Sequence, residues 1–347
     1  MGKNASAGRG YWTIAVSALM GALVACSNGG IGEGAAGELR QAQTLSPLVP
    51  VANVDLEGAA QPQNDPNGRA NACDQILTNG GRTFPLVLDG STCSTPDRPY
   101  VTTNPSFVYS GVRGLQMTLP PRLTGNGPDR SELVVHQAGD EVAYGVGFNF
   151  DNPKYFGFAM KVYGGSLPLA GHGVHIMQAW QYACGRSETA GNCGVPFVTT
   201  LQNAPAGSPQ PLQFYVRVHH NGAYGADADT VTGPGNQEAW LLSANEWHRF
   251  IYYLHPNSNE MPGTGVVTIW LDGVQIADWH GDWGCNINPP FDDQSAIYGY
   301  PAFLSDNWHL RVGMYRTDPG VINQRLDILF DNVRVASSKK QADPAAW

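Results

Sequence analysis

Charge is scarce in this 347-residue chain: Asp, Glu, Lys and Arg together make up 14% of it. Lys-, Glu- and Ala-rich periodic runs are few, and no stretch reads as a convincing long amphipathic helix. A helical bundle is therefore not expected. The net charge of −9 leaves no global basic field, so nucleic acid is not expected as a partner, and any site for an acidic ligand must be local. No C-x-x-C spacing occurs, which counts against a zinc site. No internal repeat is visible. What the chain does have is 42 Gly, 25 Pro, nine Trp and fourteen Tyr. That is the composition of a turn-rich all-β protein.

The N-terminus carries an export pattern. Lys3 and Arg9 precede an apolar run from Tyr11 to Ala25, too short to span a bilayer comfortably. It ends in Leu23-Val24-Ala25-Cys26, which resembles a bacterial lipoprotein signal with Cys26 as the lipidated residue; an ordinary signal peptide with a chance Cys is the alternative. Ser27 follows, not Asp, which by the same resemblance implies an outer-membrane lipoprotein facing periplasm or cell surface. Residues 1–26 are thus expected to be the signal, and 27–70, rich in Gly, Ala, Gln, Pro and Ser, a flexible tether. The only expected membrane contact is the lipid. Five further cysteines, Cys73, Cys93, Cys184, Cys193 and Cys285, become disulfide candidates on export. Cys73–Cys93 would close a loop before the core begins. Cys184–Cys193 would staple a second loop, leaving Cys285 over, although Cys285 could take either member of that pair.

From about residue 71 to 337 the chain reads as roughly a dozen short strands, a normal count for one large two-sheet β-sandwich, followed by a tail at 338–347. Candidates include Phe107–Tyr109, Leu115–Leu119, Arg130–His136, Val142–Phe150, Tyr155–Val162, His172–Gln181, Leu212–His219, Glu238–Leu242, Trp247–Leu254, Gly265–Leu271, Gln275–Trp279 and Arg325–Val335. Asp272-Gly273 marks a hairpin turn.

The stretch His309-Leu310-Arg311-Val312-Gly313-Met314-Tyr315-Arg316 organises the reading. Leu310, Val312 and Met314 share one strand face, and His309, Arg311, Gly313 and Tyr315 the other. Arg311 and Tyr315 stand ~13 Å apart along the strand, a span suited to adjacent sugar units. A solvated edge strand would show the same alternation. Arg130-Ser131-Glu132-Leu133-Val134-Val135-His136 alternates likewise, with Arg130, Glu132, Val134 and His136 on one side, and an Arg130–Glu132 pair that merely stabilises the sheet is the alternative there. In Gly173–Gln181, Gln178 and Trp180 share a face, an amide beside an indole, which is a common way to hold a sugar. His175 falls on the opposite face unless a bulge intervenes. In Phe214–His220, Tyr215, Arg217 and His219 lie together, a mixture able to bind a carboxylate and move a proton.

Arg130-Ser131-Glu132, the Gln178 strand, Trp247-His248-Arg249-Phe250 leading to the Gly265–Gly273 run, and Arg311-Val312-Gly313-Met314-Tyr315-Arg316 occur in the order seen in jelly-roll polysaccharide lyases. From about Pro105 to Val335 the chain resembles the branch with heparin lyase I-type and glucuronan lyases, and more distantly alginate lyases. The resemblance implies a concanavalin A-like β-jelly-roll sandwich of two antiparallel sheets, acting on an anionic, uronate-containing polysaccharide by β-elimination. Arg130 and Gln178 suit neutralising the uronate carboxylate, while Tyr315 suits proton transfer once cations such as Arg311 or Arg316 lower its pKa. Arg311, Trp180, Arg217, Glu132 and Tyr215 are the expected substrate contacts. In those relatives the Gln strand usually reads Gln-x-His with a catalytic His; here that position is Trp180. Either His219 or His175 replaces it, or Tyr315 serves as both base and acid. A glycoside hydrolase on the same sandwich needs two carboxylates, and the Glu-x-Asp-x-x-Glu strand of jelly-roll glucanases is missing; Glu132 and Glu238 are the only strand-placed Glu candidates. A non-catalytic surface sugar-binding lipoprotein would keep Trp180, Trp270 and the arginines without needing the Tyr or His alignment, and a structural surface lipoprotein would need none of them. A monomer is expected and no cofactor is required. Asp272, Asp282, Asp292, Asp293, Asp327 and Asp331 could furnish a calcium site, although such turn residues are more often solvated.

Overall fold

The structure, a computed structural model, describes residues 52–65, 73–93, 97–121, 129–135, 153–164, 173–181, 197–219, 228–256, 263–284, 308–316 and 324–346. In chain order the first strands are β1 (Ala52–Val54), β2 (Gln63–Asn64), β3 (Gln75–Asn79), β4 (Arg82–Asp89), β5 (Tyr100–Thr102) and β6 (Gly114–Leu119). Next come β7 (Asp129–Val134), β8 (Lys154–Tyr163), β9 (Val174–Gln181), β10 (Phe197–Asn203), β11 (Leu212–His219) and β12 (Ala228–Thr230). The last are β13 (Trp240–Leu242), β14 (His248–His255), β15 (Gly265–Leu271), β16 (Val274–Gly281), β17 (Trp308–Arg316) and β18 (Leu326–Ala336).

These strands make two antiparallel sheets. The first runs β16-β15-β14-β8-β18-β6-β5, with β1 also on β18; the second runs β12-β11-β10-β9-β17-β7-β4-β3-β2, with β13 on β11. The order is that of a jelly roll, in which hairpins of consecutive strands are joined by pairings between strands distant in sequence, such as β14 with β8, β8 with β18, and β9 with β17.

Alternation explains which faces meet. In β17, Leu310, Val312 and Met314 are buried; in β11, Phe214, Val216 and Val218; in β7, Leu133. They join Phe158, Phe250, Tyr252, Ile328 and Phe330 of the first sheet in one continuous core. Rings bridge the layers: Phe214 meets Phe250 edge-on at 5.2 Å, and the Thr199 hydroxyl lies 3.2 Å from that of Tyr252. Each large apolar side chain so buried contributes ~1.5–3 kcal/mol. The β15–β16 hairpin turns at Asp272 and Gly273, both at positive φ (50° and 88°), as a two-residue type I′ loop requires.

Several boundaries differ from expectation. Ordered structure begins before residue 71: β1 pairs with β18, and Val54, Leu56 and Ala59 are buried in the core. The pattern there is apolar at alternate positions, but too short to stand out from its Pro- and Gln-rich flanks. Cys73 and Cys93 are bonded, with Cα atoms 5.4 Å apart, but they tie the ends of the β3–β4 hairpin, which belongs to the second sheet. Phe107–Tyr109 is no strand: Pro105–Phe107 is a 3-10 turn whose Asn104 side chain accepts the Ser106 N–H. Glu238 lies outside β13, on an exposed connection. The C-terminal segment packs against the first sheet through a short helix, Lys339–Ala342, with Gln341 and Ala342 buried. The export signal, Cys26, most of the tether, Val142–Phe150, His136, Cys184, Cys193 and Cys285 lie outside the described residues.

Candidate active site

The face of the second sheet turned away from the core carries most of the singled-out residues, and strand register places them in two cross-strand rows. One row is Arg217–Val198–Gln178–Arg311–Val134, across β11, β10, β9, β17 and β7. The other is Tyr215–Thr200–His175–Tyr315–Arg130–Asp89, continuing onto β4. Directly paired side chains on one sheet face stand ~4.5–5.5 Å apart at Cβ, close enough to act on one ligand.

His175 reaches this face because β9 is irregular. Thr199 and Thr200 are consecutive, yet they pair with Met177 and His175, so Ile176 is an extra residue relative to β10. Opposite β17 the register also shifts, between Val312 and Tyr315. Ile176 and Met177 are both buried in the core, and the parity of the strand reverses between them. His175 and Gln178 therefore share the outer face, as a bulge allows. The His175 and Tyr315 rings lie 5.7 Å apart between centroids.

Gly313 makes the neighbouring geometry possible. At φ 153° a side chain here would place Cβ 2.3 Å from the Ser131 carbonyl oxygen and 2.7 Å from Glu132 Cα. Only glycine lets β17 and β7 approach this closely. Opposite Gly313, Glu132 is buried between two guanidinium groups: Arg130 Nε lies 3.4 Å and Arg311 Nη1 3.6 Å from the same Oε2. Burial pushes the Glu132 carboxyl up from its usual range, and Arg311 and then Arg130 pull it back. One anion against two cations leaves local positive charge, which Arg217 increases. The Arg130 guanidinium sits 4.4 Å over the Tyr315 ring, and Arg217 5.0 Å over that of Tyr215.

Burial, then His219 and Arg217, push the His175 imidazole down to about 4, so it is neutral near pH 7. A neutral imidazole is able to accept a proton. Its Nδ1 is buried without a hydrogen-bond partner among the described residues. His219 is buried near the end of β11, two residues beyond Arg217.

One expectation is reversed. Arg316 does not assist Tyr315; it is wholly buried on the opposite side of the strand, donating from Nε to Asp129 at 3.1 Å and from Nη2 to the Pro120 carbonyl at 2.9 Å. Alternation sends adjacent residues to opposite faces, and Arg130 supplies the cation at Tyr315 instead. For Trp180 the register gives His309 as its partner; its side chain lies outside the described residues. Of the six Asp residues that could serve calcium, Asp292 and Asp293 are outside the described residues. Asp272 accepts from His248 and Arg249, Asp282 from the Gly263 N–H, Asp327 from Arg325, and Asp331 from the Tyr109, Ser110 and Asn332 N–H groups. No group of three metal-ligating side chains occurs among the described residues.

Three contributors were not anticipated. Thr200 sits beside His175, and Val198 beside Gln178. Thr92, adjacent to the disulfide at Cys93, hydrogen-bonds the Arg130 carbonyl and anchors the strand that carries the site. The Val- and Thr-rich run Phe197–Leu201 was the available signal for β10.

A family described as polysaccharide lyase matches residues 87–334, from the end of β4 to β18. The chain belongs to that polysaccharide lyase family. Among curated proteins none matches it in sequence. Similar solved structures include endo-β-1,4-glucuronan lyase from the fungus Trichoderma reesei, at 19% identity over 73% of this chain and 93% of that one, with a TM-score of 0.48. Alginate lyase Aly36B shows 12% identity over 83% and 97%, TM-score 0.46. The alginate lyase from Klebsiella pneumoniae shows 12% over 83% and 98%, TM-score 0.45. At these identities no substrate passes from them to this lyase.

Proposed function

We propose that this polysaccharide lyase cleaves a uronate-containing anionic polysaccharide by β-elimination on the outer face of the second sheet. The observation that carries the reading is the pairing of His175, Tyr315 and Arg130 in one row beside Gln178 and Arg311 in the next. Such an elimination needs three things: neutralisation of the carboxylate at C5, a base for the C5 proton, and an acid for the departing oxygen at C4.

Arg130, Arg311 and Gln178 are suited to the first. Guanidinium groups bind carboxylates by charge-assisted hydrogen bonds, and an amide donor stabilises the charge that builds on the carboxylate as the proton leaves. Glu132 holds the two arginines about a common point. Tyr315 and the neutral His175 are suited to the proton transfers, with His175 favoured over His219 because it faces the phenol directly. Arg217 and Tyr215 extend the surface toward a neighbouring sugar, as does the Trp180 position. Among the described residues that the two rows place on this face, Glu132 and Asp89 do not make a hydrolase pair: Glu132 is buried between guanidinium groups, and Asp89 Oδ1 accepts the Gly90 N–H. We also propose export and lipid anchoring through Cys26, on the Leu-Val-Ala-Cys pattern.

The test is incubation with glucuronan, alginate, ulvan and glycosaminoglycans, following ultraviolet absorbance of the 4,5-unsaturated product. Unsaturated ends on at least one polyuronate are expected. New reducing ends without unsaturation would favour a hydrolase, and binding without cleavage a carbohydrate-binding protein.

A further inference from the structure

Arg130 is the second residue of β7, and its backbone lies between Tyr315 of β17 and Asp89 of β4. The pairing of β4 with β7 ends at that Asp89–Arg130 step, where β4 gives way to a 3-10 turn, Gly90–Cys93. Thr92 of this turn is wholly buried. Its hydroxyl accepts the Asp89 N–H at 3.1 Å and lies 2.5 Å from the Arg130 carbonyl oxygen and 2.7 Å from that of Asp89. The Thr92 side chain therefore bridges the two strands at the step where their ladder stops.

A single 3-10 turn has little stability of its own. This one is fastened at its last residue: Cys93 is bonded to Cys73, just ahead of β3, and its carbonyl accepts Arg98 Nε at 3.2 Å. Next to Cys73, the Asp74 carboxylate accepts the Leu88 N–H at 2.9 Å. A chain of short contacts thus runs from the β3–β4 hairpin through Cys93 and Thr92 to the Arg130 backbone. At its far end the Arg130 guanidinium sits 4.4 Å over the Tyr315 ring and 3.4 Å from Glu132. Both contacts depend on where β7 carries the Arg130 backbone, and a displacement of ~1 Å at a site can cost ~100-fold in rate.

Resting on the lyase reading, we infer that Thr92 is a positioning residue for Arg130 and that the Cys73–Cys93 bond holds Thr92 in place, so that turnover depends on these two cysteines being joined. A disulfide that only stabilised the hairpin would shift the unfolding midpoint and leave kcat alone. Coupling through Thr92 makes the lyase fast where the pair is oxidised and slow where thiols are kept reduced.

The test compares kcat for unsaturated ends, in the full chain, between wild type, Thr92→Val, Thr92→Ser, Cys73→Ser/Cys93→Ser and the last combined with Thr92→Val. Urea midpoints establish that each is folded under the assay conditions. Thr92→Val is expected to lower kcat at least ~10-fold, and Thr92→Ser, which keeps the hydroxyl, to stay close to wild type. The cysteine pair variant should lose a similar factor, and adding Thr92→Val to it should cost little more, because both act through one contact. Wild-type kcat in Thr92→Val, wild-type kcat in the pair variant despite a lower midpoint, or losses that multiply would each overturn the inference while leaving the lyase reading intact. Where the pair variant does not fold, folded wild type is reduced with dithiothreitol, which closes to its cyclic disulfide as the Cys73–Cys93 bond becomes two thiols. The kcat should then fall in step with alkylation of Cys73 and Cys93, and full kcat with both alkylated would overturn the inference. No unsaturated product from wild type on any polyuronate would remove the lyase reading and the inference with it.

Discussion

Two charge clusters on the β7–β17 ladder have opposite designs. On the core side, Arg316 faces Asp129: both are buried, and Arg316 donates two hydrogen bonds to the carboxylate and one to the Pro120 carbonyl. On the outer side, Arg130 and Arg311 share a single oxygen of Glu132 at 3.4 and 3.6 Å, and that oxygen has no hydrogen bond among the described residues. The residue types are alike; the charge balance and the hydrogen bonding are not. A buried charge left loosely paired costs stability, and such costs concentrate where a ligand completes the bonding. The core pair holds the sheet together. The outer cluster is the one that the proposed function assigns to a substrate carboxylate.

Substitutions on the two sides should separate stability from catalysis. Arg316→Ala strands the Asp129 carboxylate in the core and is expected to cost ~3–5 kcal/mol, read as a lower urea midpoint; an unchanged midpoint would mean the pair is not structural. Gln178→Ala should leave the midpoint close to wild type and lower kcat by ~100-fold, the usual loss for one preorganised donor to developing charge. Arg311→Ala should act mainly on binding, raising KM about tenfold; a fall in kcat with KM unchanged would move Arg311 into the proton-transfer step. The smallest effect concerns pH. His175 is held at about 4 when folded, below its usual 6.5. The unfolded chain therefore binds more protons in that window, and the stability of the neutral imidazole is present above pH 6.5 and lost as pH falls toward 4. His175→Gln should flatten that part of the acid-denaturation curve, and identical curves would show that His175 does not titrate as described.

How much of this the residues disclosed depends on the rule each position obeys. Alternation assigned Leu310, Val312 and Met314 inward and Arg311 and Tyr315 outward, and it separated Phe214, Val216 and Val218 from Tyr215 and Arg217. Period-two reasoning is strong wherever one face is apolar. It fails by a single residue at Ile176. Ile and Met are both apolar, so nothing in Val174–Gln178 shows that two consecutive residues point inward, and the face of His175 depends on that bulge. Arg316 misleads for the converse reason: a charged residue after Tyr315 resembles a site residue, yet its partner Asp129 lies just before the strand that the pattern marks. β3 and β4 escape the strand pattern although Asn79-Gly80-Gly81-Arg82 carries hairpin chemistry, with both glycines at positive φ. The order of strands in each sheet, which brings β9, β17 and β7 side by side, follows from long-range pairing that local pattern does not encode.

The most direct test is Tyr315→Phe, assayed for unsaturated product on the best polyuronate beside a thermal melt. Phe keeps the ring beneath the Arg130 guanidinium and removes only the hydroxyl, so the melting temperature and substrate binding should stay close to wild type. Turnover should fall by at least ~100-fold, the loss expected when a general acid–base group is deleted. A correctly folded Tyr315→Phe protein with full lyase activity would contradict the assignment of this sheet face as the catalytic centre.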